Sequence, residues 1–129
     1  MQKIAPIVVL MCIASLVLSS CGKVSDPAVK AVEDYLNALV NKNVNALSAL
    51  SCADWESNAL LELDSLQAVA TKLENLSCRA TGSNGSTTQV ICQGKIVATY
   101  NGEDQQFDLS VRTYQVVNQG GEYLVCGYQ

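Results

Sequence analysis

Histidine is absent from this sequence of 129 residues. The commonest general base and the commonest metal ligand are therefore both missing. Basic residues are few and scattered: eight Lys and Arg stand against 12 Asp and Glu, for a net charge of −4. Binding a phosphate backbone needs grouped cations, so no nucleic acid partner is expected. No two of the six cysteines form a C-x-x-C pair, and Glu62 and Asp64 do not fit the spacing of a calcium loop. Tryptophan occurs once, at Trp55. The longest apolar run, Ile4 to Leu18, is shorter than the roughly 20 residues that span a bilayer as a helix.

What is present begins with that run. Lys3 supplies a positive start, apolar residues follow, and small residues close the segment, which is the pattern of a secretory signal peptide over residues 1–20. The residues Leu18-Ser19-Ser20-Cys21 resemble the bacterial lipobox, an aliphatic residue and two small ones before a cysteine. The resemblance implies cleavage between Ser20 and Cys21, a diacylglyceryl group on the Cys21 sulfur, and a further acyl chain such as palmitate on the new amine. Two or more chains give stable anchoring where one gives only marginal binding. Residues 21–26 then form a lipidated tether. The remainder is held at a cell membrane or outer membrane, facing outside the cytoplasm. Gly22 rather than Asp follows the cysteine, so nothing there signals retention at the inner membrane.

On this reading Cys12 leaves with the signal peptide and Cys21 carries lipid. Cys52, Cys78, Cys92 and Cys126 remain, and an even number in an exported domain points to two disulfides. The rival is a zinc site built from all four thiolates, which the lack of close pairs disfavours. No metal or other cofactor is expected.

Apolar residues make up 49% of the chain, enough for the modest core of a single domain over residues 27–129. Asp26 before Pro27 is an N-cap followed by proline at the first helical position. From there Val29, Val32, Leu36, Leu39 and Val40 fall on one helical face, with Lys30, Glu33, Asp34, Asn37 and Asn41 opposite. Asn41-Lys42-Asn43 breaks this helix. A second, shorter one follows with Val44, Leu47 and Leu50 inward, and a third runs from Ala53 to near Leu66. Beyond residue 68 the period becomes that of strands, punctuated by Gly82–Ser86, Asn101-Gly102 and Gly120-Gly121. The expected fold is α+β: N-terminal helices packed on a curved four-stranded antiparallel meander.

Register can be tested against the cysteines. In the strand beginning at Thr87, the residues Val90, Cys92, Ile96, Ala98 and Tyr100 share a face that reads as buried. A three-residue loop over Asn84–Ser86 would set Cys78 directly opposite Cys92, within disulfide reach. Cys52, after the second helix, would then join Cys126 in the last strand. The other two connectivities remain open.

The stretch Val32 to Trp55, with Tyr35, Leu36, Leu39, Asn43, Leu47 and Leu50, resembles the nuclear transport factor 2-like (cystatin-like) superfamily. That family more often has Asp where this chain has Asn43. The resemblance implies a sheet wrapped into a cone whose mouth can hold an apolar small molecule. Family enzymes such as ketosteroid isomerase and scytalone dehydratase place Asp, Tyr or His groups in that cone. This chain has no His, and no Asp of its sequence aligns onto a catalytic position. Fold alone does not carry the function across.

The expectation is therefore an anchored, non-enzymatic domain binding a small apolar ligand or an envelope component; the first alternative is a protein–protein assembly factor of the envelope, and the second, resting on the family resemblance alone, is an isomerase- or dehydratase-like enzyme. The candidate ligand residues are Trp55, flanked by Asp54 and Glu56, and Tyr35 and Tyr100 on inward faces. The competing account makes Trp55 a core aromatic and Asp54 the N-cap of the third helix. Glu103 and Asp104 follow a hairpin tip and read as solvated, as do Glu62 and Asp64. Asn75-Leu76-Ser77 and Asn84-Gly85-Ser86 match the glycosylation pattern, idle in a bacterial lipoprotein.

Overall fold

In the computed structural model, which describes residues 26–129, the chain enters its first helix through Asp26. The Asp26 carboxylate accepts from the Ala28 N–H at 2.9 Å, and Pro27 occupies the first turn of α1 (Pro27–Val40). The signal segment, the cleavage point and Cys21 lie outside the described residues.

α1 buries Val32, Tyr35, Leu36 and Leu39 completely, and each such burial contributes roughly 2 kcal/mol. It ends in a Schellman turn: Asn43 N–H donates to the Ala38 carbonyl and Lys42 N–H to that of Leu39, with Lys42 at a φ of 57°. Asn43 then caps α2 (Val44–Ala49), its side chain accepting from Ala46 N–H at 3.1 Å. The Asn-Lys-Asn break is thus a C-cap, a left-handed residue and an N-cap in succession. Leu47 of α2 is buried, but Val44 is exposed, contrary to the expectation that placed it inward. It sits in the first turn, before the helix reaches the core. α3 (Ala53–Ser65) has Cys52 at its N-cap with no side-chain bond. Asp54 is not the cap that was expected but a residue of the first turn, where with Glu56 it complements the helix dipole.

Five antiparallel strands follow: β1 (Ala70–Asn84), β2 (Thr87–Tyr100), β3 (Glu103–Asp108), β4 (Thr113–Gln119) and β5 (Glu122–Tyr128). The sheet order is β1-β2-β4-β5, and β3 also pairs with β2. The expected third strand is therefore two. β3 covers Lys95–Tyr100 of β2 and β4 covers Thr87–Ile91, with a 3₁₀ turn, Leu109–Val111, between them. Asp108 makes that break by accepting from both the N–H and the hydroxyl of Ser110, which turns the chain and drives Leu109 into the core.

The long β1–β2 ribbon is bent by irregularities. At one, Asn75 has a φ of 56° opposite Gly94 at 104°. A Cβ on Gly94 would stand 2.6 Å from the carbonyl oxygens of both Glu74 and Asn75, so only glycine fits. A second bulge falls at Thr81. The hairpin loop holds two residues, Gly85-Ser86, rather than the three expected, and this bulge restores the register. Cys78 does face Cys92, and the two are bonded.

The second disulfide joins Cys52 to Cys126. Beside it Cys52 N–H donates to the Val125 carbonyl, and Val125 N–H to that of Leu50, so the α2–α3 link runs as a short parallel strand along the edge of β5. The helices cover the inner sheet face formed by Val90, Cys92, Ile96, Tyr114, Val116 and Val125.

Candidate ligand cavity

A cavity of about 250 Å³ opens between the C-terminal half of α3 and the sheet, where β3 gives way to the 3₁₀ turn. Leu66, Ile96, Phe107 and the ring of Tyr128 form its apolar walls, with Ser65 at the helical side. Its polar groups are Glu62, from α3, and Arg112, between the turn and β4.

Arg112 Nη1 donates to Glu62 Oε1 at 2.8 Å, and each side chain keeps only 19% of its surface exposed. The same Nη1 approaches the Tyr114 hydroxyl at 3.4 Å. The guanidinium carbon stands 4.2 Å from the centroid of the Tyr128 ring, a cation–π arrangement that fixes the plane of the group. Burial pulls the guanidinium down, but hydrogen bonding to Tyr114 and the charge of Glu62 outweigh it, so Arg112 stands above its ordinary value.

Behind Tyr128 lies an aromatic cluster. Tyr114 and Trp55 each meet Tyr128 edge-on at 5.4 Å, and Tyr35 meets Tyr114 at 6.3 Å. Trp55 Nε1 donates to the Tyr35 hydroxyl at 3.0 Å, linking α3 to α1. Burial raises the phenols of Tyr35, Tyr114 and Tyr128; Tyr114 is pushed up to about 12 although the bond from Arg112 acts the other way. These hydroxyls are neutral hydrogen-bonding groups at physiological pH. The Trp55 ring also lies against Gly127, where an added Cβ would come within 3.3 Å of it.

The structure separates the expected ligand residues. Tyr35 and Trp55 belong to the layer behind Tyr128, so they brace the cavity wall without lining it. Tyr100 is 60% exposed, far from the expected interior. It does share the face of Val90 and Cys92, but it stands at the end of β2 beside the Asn101-Gly102 hairpin tip, where it borders a separate pocket with Val69, Ala98 and Glu103 and not the cavity of Glu62 and Arg112. Glu103 and Asp104 are exposed at that tip, as expected. Glu62, expected to be solvated, is instead half-buried against Arg112, whereas Asp64 is exposed. Arg112, Tyr114 and Tyr128 were not among the residues that the sequence singled out. The readable clue was Asp108-x-Ser110, whose turn sets Arg112 at the cavity. Among the described residues no group of three or more acidic or cysteine side chains is placed to hold a metal.

The sequence matches no family model and no curated protein. Its fold is found in solved structures. A proposed ketosteroid isomerase from Shewanella frigidimarina aligns with a TM-score of 0.58 at 13% identity, over 82% of this chain and 95% of the other. Aln2 from a Streptomyces species aligns at 0.54 and 8% identity, over 77% and 82%. The helical cell shape determining protein Pgp2 from Campylobacter jejuni aligns at 0.51 and 10% identity, over 77% of this chain but only 38% of its own. The chain thus has the cone-like α+β fold of the ketosteroid isomerase neighbour. Its two disulfides fit an oxidising compartment outside the cytoplasm. No described helix is long and apolar enough to cross a membrane.

Proposed function

We propose that this chain is a lipoprotein anchored through Cys21, and that its cone binds a small, mainly apolar molecule outside the cytoplasm without transforming it. The observation that carries the binding reading is the cavity itself: four apolar walls around one half-buried ion pair, the composition of a small-ligand site. Its carboxylate is already engaged by a guanidinium and its nearby phenols are neutral, which supports holding a molecule over reacting with it. Anchoring is supported by Leu18-Ser19-Ser20-Cys21 and by the oxidised domain that follows.

Native mass spectrometry of the oxidised mature protein, purified gently from its own envelope, tests both parts. The expected result is a diacylglyceryl-bearing N-terminal cysteine and a reproducible non-covalent extra mass. A protein beginning elsewhere than Cys21 would overturn the anchor. A bare mass at the two-disulfide value, repeated across preparations, would overturn the carrier reading.

A second reading, an assembly factor binding another envelope protein, is favoured by the edges of the sheet. The β5 edge is covered by Leu50–Cys52, whereas the 15-residue β1 has no partner on its outer side among the described residues. Crosslinking in intact cells should then give a discrete partner band, and self-crosslinks alone would count against it.

A further inference from the structure

We propose that the cavity selects an uncharged molecule with a compact apolar body and an amide-type head, the head's carbonyl accepting from Arg112 and its N–H donating to Glu62. This rests on the ligand-binding reading above and specifies its chemistry. Only Nη1 of Arg112 and Oε1 of Glu62 take part in their mutual contact. Nε and Nη2 of Arg112 and Oε2 of Glu62 have no hydrogen-bond partner among the described residues. None of these atoms is sealed away, because no described side-chain nitrogen or oxygen is both inaccessible and unpartnered. Both residues line the cavity, so their ion pair forms its polar end.

Charge decides what fits there. The pair is neutral as a whole, and each member keeps only 19% of its surface exposed. A ligand carboxylate reaching Arg112 would be placed beside the Glu62 carboxylate, and a ligand ammonium reaching Glu62 beside the guanidinium. Either like-charge approach is penalised in a half-buried site, where screening is weak. A neutral group with an acceptor next to a donor satisfies both partners and brings no charge out of water. The receptor is also rigid: Tyr128 stacks beneath the guanidinium, and Trp55 supports Tyr128 from behind.

Size limits the body. A volume of about 250 Å³ is the share of about eight water molecules at ~30 Å³ each. One ring or a short branched chain against Leu66, Ile96, Phe107 and Tyr128, together with the head, fills it.

The test compares four molecules that share one phenyl ring, benzamide, benzoate, benzylammonium and toluene, by calorimetric titration of the detergent-solubilised mature protein at constant ionic strength. Benzamide is expected to bind at least ~10-fold more tightly than each of the others, the ratio set by two hydrogen bonds to charged groups. Glu62→Gln keeps the shape but leaves Arg112 uncompensated, and should reverse the order in favour of benzoate. Toluene binding as tightly as benzamide would overturn the proposal while leaving an apolar carrier intact. Benzoate or benzylammonium binding most tightly to the unaltered protein would overturn it as well. No binding of any of the four would overturn both this proposal and the carrier reading of the cavity.

Discussion

Glu62 and Arg112, 50 positions apart in the chain, meet at 2.8 Å between α3 and the sheet. Removing one partner of a half-buried pair strands the other charge, which costs more than the pair itself contributes. Arg112→Met should lower the unfolding free energy by about 2 kcal/mol, and adding Glu62→Gln should restore about half of it. Urea denaturation of the two single variants and the double variant gives the coupling. Additive losses would show that the contact contributes nothing beyond its separate halves.

Gly127 and Trp55 define a close approach of the same kind. Gly127 has a φ of 135°, which L side chains rarely adopt, and its missing Cβ leaves room for the indole. Gly127→Ala should destabilise the domain by about 2 kcal/mol and displace Trp55 from Tyr128. A red-shifted Trp55 emission and a lowered urea midpoint are the expected readouts. An unchanged spectrum would show that the indole does not depend on this glycine.

Much of this arrangement was legible beforehand, and the parts that were not have a physical cause. The cap at Asp26, the Asn-Lys-Asn break and the turns at Asn101-Gly102 and Gly120-Gly121 are local chemistry, and local chemistry is written in neighbouring residues. The facing of Cys78 and Cys92 followed from strand alternation, although by a loop one residue too long that the Thr81 bulge offsets. The cavity was not legible, because it depends on where a strand breaks. Asp108 and Ser110 interrupt β3 for one turn, and only then does Arg112 swing to Glu62 instead of continuing a solvent-facing alternation. Trp55 drew attention as the only tryptophan, yet its partners Tyr35, Gly127 and Tyr128 make it a brace.

The two disulfides should differ in their contribution. Cys78–Cys92 closes a loop of sequence separation 14, and Cys52–Cys126 one of 74. On the chain-entropy account these stabilise by about 3 and about 4.5 kcal/mol. The longer bridge also holds Leu50–Cys52 against β5, so its loss exposes that edge. The double alanine variant at Cys52 and Cys126 should therefore melt at lower temperature than that at Cys78 and Cys92. It alone should show accelerated hydrogen exchange at the Val125 amide. Equal melting of the two variants would contradict the ranking.

The buried phenols predict a loss of stability in alkali. A tyrosine whose folded pKa lies above its unfolded value of about 10 stays protonated in the native state where the unfolded chain has begun to ionise. Unfolding then releases protons, so stability is complete below pH 10 and falls as pH rises through the folded value. For Tyr114, pushed up to about 12 by burial, the loss between pH 10 and 12 is about 2 kcal/mol, and Tyr35 and Tyr128 are displaced in the same direction. Urea midpoints from pH 8 to 11.5 should be flat and then decline, and spectrophotometric titration should show these phenols ionising only as the fold opens. Tyr114→Phe removes one of these contributions while keeping the ring, so its decline should be shallower. A decline of equal slope in that variant would place the alkaline sensitivity in another group and detach it from the aromatic layer behind the cavity.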